Sequence, residues 1–114
     1  MSRMVVYVTF PNVEEARLVG RHLVEERLAA CVNILADVES MYWWDNQVQD
    51  DSEAVLIAKT VSAQFEGLRA RIVKMHPYEV PCIVAWPVEH GHEPFLDWIS
   101  REARGSCEQG DENC

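Results

Sequence analysis

Residues 29–60 read as two long strand-forming segments joined by the dipeptide Asp45-Asn46, and this pattern narrows the fold more than any other feature of the chain. Before the dipeptide, Val32, Ile34 and Leu35 are apolar, and Tyr42 and Trp44 alternate with Met41 and Trp43. After it, Val55 and Ile57 share a face with Glu53 and Lys59, while Ala54, Leu56 and Ala58 share the other. Asp and Asn tolerate positive φ better than most residues, which a type I′ hairpin turn demands. A hairpin with strands over Ala29–Trp44 and about Gln47–Thr60 follows. Its first arm is long for a single strand, so a bend or bulge is expected at Asp37–Ser40. A hairpin of this length has a spare edge that would template aggregation unless something covers it. Trp43 and Trp44 point to opposite faces, so one of them must cover something outside the protomer's own core, and a subunit partner is the natural candidate.

The flanking segments supply the rest. Met4–Phe10 (MVVYVTF) is β-branched and aromatic, the signature of a buried strand. Pro11-Asn12 stops it, and Asn12 with Glu15 three residues later forms a capping-box pattern. Ala16, Val19, Gly20 and Leu23 then trace the apolar stripe of a helix ending near Glu26 to Leu28. Thr60 or Ser62 is the expected cap of a second helix, with Phe65, Leu68, Ile72 and Met75 as its stripe and His76-Pro77 as its end. A fourth strand over Pro81–Val88 is expected at an edge or to stop near Pro87. Pro94 suits the first position of a third helix, which carries Phe95, Trp98 and Ile99. The order is β-α-β-β-α-β plus a terminal helix. That is the α+β, ferredoxin-like plan of an antiparallel sheet with two helices on one face.

A chain of 114 residues is one domain's worth and long enough for a core without staples. It is divided here into a domain over 1–104 and an acidic tail over 105–114. Ten Lys and Arg stand against 19 Asp and Glu, so the positive footprint that nucleic-acid binding needs is missing. The acidic clusters are Asp45, Asp50, Asp51 and Glu53, and Glu108, Asp111 and Glu112. They are either solvated or weakly cation-attracting. No apolar run approaches a membrane helix, and the N-terminus runs straight into a strand pattern without a signal-peptide h-region, so a cytoplasmic protein is expected. Of the cysteines, Cys31 and Cys82 sit in apolar runs and Cys107 and Cys114 in the tail. No C-x-x-C motif is present, so zinc-ribbon and thioredoxin-type readings fall away.

Four features could carry chemistry. His76-Pro77-Tyr78-Glu79-Val80-Pro81 is a short loop fixed by two prolines and dense in groups that hydrogen-bond, ionise or ligate. Either His76 caps the helix end or His76, Tyr78 and Glu79 line a pocket. His90-Gly91-His92 could present two imidazoles to Cu²⁺ or another borderline metal, or be a solvated loop. Lys59 is an anion-site candidate or a snorkelling strand-end charge. Tyr42 and Trp44 are core, interface or pocket aromatics. His76 with Glu79 could serve as acid and base, but no nucleophile accompanies them, so an enzyme is not expected.

Glu26-Arg27-Leu28-Ala29-Ala30-Cys31-Val32-Asn33-Ile34, then Ser40-x-Tyr42-x-Trp44, then Glu53, Lys59-Thr60 and His76-Pro77-Tyr78-Glu79-Val80-Pro81, in this order and at these spacings, resemble the CutA family of divalent-cation tolerance proteins. The similarity runs from about Val5 to Ile99. It implies a ferredoxin-like protomer in a tight homotrimer, in which the long hairpin strands pair between subunits, with an architecture like that of PII signalling trimers. It also implies a link to divalent-ion tolerance, with copper binding claimed for some members and no accepted catalytic mechanism. The expected function is a non-enzymatic trimer that requires no cofactor and binds Cu²⁺, another divalent cation or a small ligand at inter-subunit clefts. Tyr42, Trp44, Lys59, His76, Tyr78 and Glu79 would form the pocket, with His76, or His90 and His92, as metal ligands. A PII-like signalling or interaction trimer is the alternative. Asn46 and Gln47 replace the family's usual glycine and lysine at the turn. Val8 and Met75 stand where some members carry a cysteine and a second histidine.

Overall fold

Arg3–Phe10 (β1) is the strand around which the others assemble, because it pairs antiparallel on both sides. Its partners are Gln47–Val61 (β3) and Ile83–Pro87 (β4), and Cys31–Trp44 (β2) pairs antiparallel with β3, giving the order β2-β3-β1-β4. The computed structural model describes residues 2–105. The proposed tail lies outside them apart from Gly105, as do Cys107 and Cys114.

Val13–Glu25 (α1) and Phe65–Met75 (α2) pack on one face of the sheet. Val6, Val8 and Phe10 of β1 and Ala54, Leu56 and Ala58 of β3 meet Val19 and Leu23 of α1 and Leu68 and Ile72 of α2 in one buried cluster. Each fully buried aliphatic side chain there contributes roughly 1.5–3 kcal/mol. Glu93–Glu102 (α3) closes one end of the sheet, where Leu96, Ile99 and Ala103 bury against Ala30 and Val61. Arg3 ties α3 to β1, its Nε donating to the Leu96 carbonyl at 3.1 Å and to Ser100 Oγ at 2.9 Å. No helix among the described residues is long and apolar enough to cross a membrane.

Local chemistry sets the boundaries. Asn12 caps α1, its Oδ1 accepting from the Glu15 N–H at 2.9 Å. At the other end the Leu28 N–H reaches the Leu23 carbonyl at 2.9 Å and the Arg27 N–H the Val24 carbonyl at 3.0 Å. This is a Schellman motif with Arg27, at φ 60°, in the left-handed position glycine usually takes. Leu28 and Ala29 are thereby committed to the helix end, so β2 starts at Cys31 rather than Ala29. The Asp45-Asn46 turn has φ of 55° and 61°, the type I′ geometry its composition predicts.

Three boundaries differ from expectation. Neither Thr60 nor Ser62 caps α2: Ser62–Gln64 forms a 3₁₀ turn ahead of it, and the buried Thr60 donates its hydroxyl to the Leu28 carbonyl at 2.6 Å. β4 is shorter than Pro81–Val88 because its ladder with β1 runs only from Ile83 to Pro87, and Pro81 has no N–H to extend it. Pro94 is the second residue of α3, not the first.

The bulge lies slightly ahead of the expected stretch, in the register shift between Leu35 and Val38, with Asp37 at φ 58°. Leu35 pairs with Val55 and Val38 with Glu53, so Ala36 and Asp37 together oppose Ala54. Because strand side chains alternate, one extra residue inverts the facing of everything beyond it. Cys31, Asn33 and Leu35 lie on the helix-free face before the bulge; Val38, Ser40, Tyr42 and Trp44 lie there after it.

That helix-free face is largely apolar. Rows across the sheet read Val84–Tyr7–Ile57–Asn33 and Trp86–Val5–Lys59–Cys31. Leu35, Val84 and Trp86 are 46%, 50% and 47% exposed on it.

Candidate functional site

Where the helix-free face meets the hairpin, residues 77–82 fold over the sheet and enclose a cavity of about 760 Å³. β2 contributes Tyr42 and Trp44, β3 contributes Glu53, and the covering loop contributes Tyr78, Glu79 and Cys82. Glu39 adds a third carboxyl group, and among the described residues no lysine or arginine lines the space.

Tyr78 is the keystone of this arrangement. Its hydroxyl donates to Glu53 Oε2 at 2.7 Å, and its backbone N–H donates to His76 Nδ1 at 3.0 Å. His76 in turn holds the Thr9 carbonyl through Nε2 at 2.6 Å and stacks on Phe10, with ring centroids 4.5 Å apart. A carbonyl can only accept and a backbone N–H can only donate, so His76 takes the Nε2–H tautomer here with both nitrogens engaged. Burial, then the hydrogen bond to Glu53 and that group's charge, hold the Tyr78 phenol well above its ordinary pKa. Tyr42 donates to Asp51, which likewise raises its pKa, with partial burial adding to the effect.

Glu53 is only 7% exposed, and among the described residues it forms no ion pair. A buried acid with a single hydroxyl donor and no counter-charge is costly, and such groups mark sites that await a partner. Cys82 is kept in its thiol form, its pKa raised first by burial and next by the Glu53 charge. It therefore lacks the thiolate character that nucleophiles and soft-metal ligands need.

The structure sorts the sequence candidates into two groups. Tyr42, Trp44, Tyr78 and Glu79 line the cavity. Lys59 does not: it sits six residues from Glu53 along β3, roughly 20 Å at strand rise, with Nζ donating to Asn33 Oδ1 at 2.5 Å. His76 is 8% exposed and lies beneath the cavity as a support rather than in its lining. His90 and His92 are exposed in the loop between β4 and α3, and His92 precedes α3 without a side-chain cap. Among the described residues, no three His, Cys, Asp or Glu side chains are grouped so as to hold a metal ion. The described residues of a single protomer therefore do not supply a clustered donor set for copper. Sequence reasoning passed over Glu53 and Glu39 as site residues. The signal for Glu53 was present, since it occupies the same parity as Val55 and Ile57, which places a carboxyl group on an apolar sheet face.

The profile of the family described as CutA1 divalent ion tolerance protein matches residues 4–102. The chain belongs to the CutA1 family. Among its relatives, the divalent-cation tolerance protein CutA of Thermus thermophilus is 46% identical over 101 residues, covering 89% of this chain and 97% of that one. Human Protein CutA is 41% identical over 93 residues, and there the match spans 82% of this chain but 52% of the longer relative. The crystal structure of CutA1 from Oryza sativa superposes with a TM-score of 0.89 at 39% identity, covering 93% of this chain and 97% of that one. The CutA1 name is that of a tolerance protein and not of an enzyme.

Proposed function

We propose that this CutA1 chain is a cytoplasmic, non-enzymatic homotrimer of ferredoxin-like protomers, and that it serves divalent-cation tolerance by binding a small ligand or ion in clefts between subunits. The observation that carries this reading is the cavity itself: it opens on the sheet face that no described helix covers, and it holds a buried acid with no ion-pair partner among the described residues. A second subunit laid against that face would cover Leu35, Val84 and Trp86 and close the cavity in the same act. The edge of β2, 14 residues long, would be paired or covered as well.

Copper enters this reading as cargo, and at the cavity only with donors from two subunits, because there His76 has both nitrogens engaged and Cys82 is held as a thiol. Sedimentation equilibrium combined with Cu²⁺ titration tests the reading. The expected mass is three times the 13.1 kDa chain, with Cu²⁺ affinity unchanged in His76→Ala, whose nitrogens are already in use. A monomer mass overturns the assembly. A loss of Cu²⁺ binding confined to a His90→Ala, His92→Ala double variant moves the metal to the β4–α3 loop.

A further inference from the structure

Three properties of the cavity restrict what it can hold. The first is charge: Glu39, Glu53 and Glu79 line it without a basic residue, and Glu53 is more than nine-tenths buried. An anion would be repelled, and a neutral guest would leave the buried acid uncompensated. The second is the character of the walls. Tyr42, Trp44 and Tyr78 present aromatic surface, whose negative faces attract cations, most strongly where water is excluded. The third is the lack of a metal-type donor cluster. A small, strongly hydrated dication needs several convergent ligands to replace its water, and among the described residues none converge here. The volume of about 760 Å³ lies within the range of sites for organic molecules.

We propose that the cavity binds a small organic cation, an ammonium-bearing molecule whose charge rests against Glu53 between the rings of Tyr42, Trp44 and Tyr78. The inference rests on the reading of this cavity as the ligand site and adds the chemical class of the ligand. Tyr78 has two roles: its hydroxyl fixes one oxygen of Glu53, leaving the other to the ligand, and its ring forms a wall. His76 is a positioning residue, since it holds the Tyr78 backbone and does not reach the cavity. A soft, weakly hydrated ammonium group suits this combination because it gives up water readily and gains from both the carboxylate and the aromatic faces.

The test is calorimetric titration of the assembled protein with choline and with butylammonium, against dimethylbutanol, the uncharged carbon analogue of choline. At least one cation is expected to bind saturably, and dimethylbutanol at least tenfold more weakly. Glu53→Gln should weaken the cation at least tenfold, Trp44→Leu several-fold, and Glu89→Gln, outside the cavity, not at all. The inference is overturned if neither cation saturates, if the alcohol binds as well as the cations, or if Glu53→Gln and Trp44→Leu both bind normally. Cu²⁺ titration and sedimentation on the same preparations separate the two failures. Cu²⁺ binding that disappears in Glu53→Gln, with no ammonium binding, would sink the organic cation while keeping the cavity as the site. A monomer mass would sink the trimer while leaving the cation result to stand or fall by itself.

Discussion

His76 makes two hydrogen bonds of opposite sense, one to a carbonyl 67 residues earlier and one from an N–H two residues later, so it joins the covering loop to β1. Alanine there would strand both backbone groups and remove the stack on Phe10. The expected loss is about 2–4 kcal/mol, read from the urea midpoint; a loss below 1 kcal/mol would mean that water replaces the ring without penalty. Tyr78 gives the molecule an alkaline limit. Its phenol pKa is raised in the folded state by burial and by Glu53, so the folded chain keeps a proton that the unfolded chain releases above about pH 10. The stability this contributes is fully present below that pH and is lost as pH rises toward the folded value. Urea midpoints should therefore fall between about pH 9 and pH 11, and less steeply in Tyr78→Phe; identical slopes would exclude Tyr78 as the cause.

At the scale of elements, the hairpin decides where the site lies. Asp45 and Asn46 both hold positive φ, so Asn46→Gly should be neutral or slightly stabilising. Asn46→Val should cost about 1–2 kcal/mol, since a β-branched residue resists the left-handed region. Equal unfolding midpoints for the two variants would contradict the turn geometry. The bulge has a larger consequence. Deleting Asp37 leaves Ala36 alone opposite Ala54 and restores strict alternation with Tyr42 and Trp44 still on the open face, whereas deleting Ser40, beyond the bulge, sends them to the helix side. The expected result is a near-ultraviolet tryptophan signal retained without Asp37 and changed without Ser40; a signal changed equally by both deletions would place the register shift elsewhere. These features also show how far the sequence can be read. The order of elements, the cap at Asn12 and the turn were legible because each depends on neighbours a few residues apart. The grouping of Tyr42, Trp44, Tyr78 and Glu79 was legible through the family resemblance. The absence of Lys59 and His76 from the lining within one protomer was not. Within the protomer, strand rise carries Lys59 to the far end of β3, and Thr9, remote in sequence, claims the Nε2 of His76. Residue type reveals neither. The cap of α2 was misjudged for a similar reason: Thr60 finds the Leu28 carbonyl across the fold before it can serve its own helix.

At the scale of the whole molecule, the sheet has one finished face and one open one. The face under α1 and α2 buries Val6, Val8, Phe10, Leu56 and Ala58. The other leaves Leu35 and Val84 about half exposed on either side of Tyr7 and Ile57. In an isolated protomer, lysine at either exposed position would disturb little, within about 0.5 kcal/mol, because the side chain can reach water. In a trimer closed over this face, the same lysine would be desolvated without a partner, and the assembly rather than the fold would fail. Leu35→Lys and Val84→Lys are therefore expected to sediment at monomer mass at micromolar concentration while keeping native helical circular dichroism. Leu18→Lys is the matched control: Leu18 is 52% exposed but lies on α1, away from the open face, and this variant should keep the mass of the unaltered protein. If both strand variants remain trimeric, the open face is not the subunit contact, and the cavity beside it closes by some other means. If the Leu18 variant dissociates too, assembly runs through the helices, and the long β2 edge stays bare.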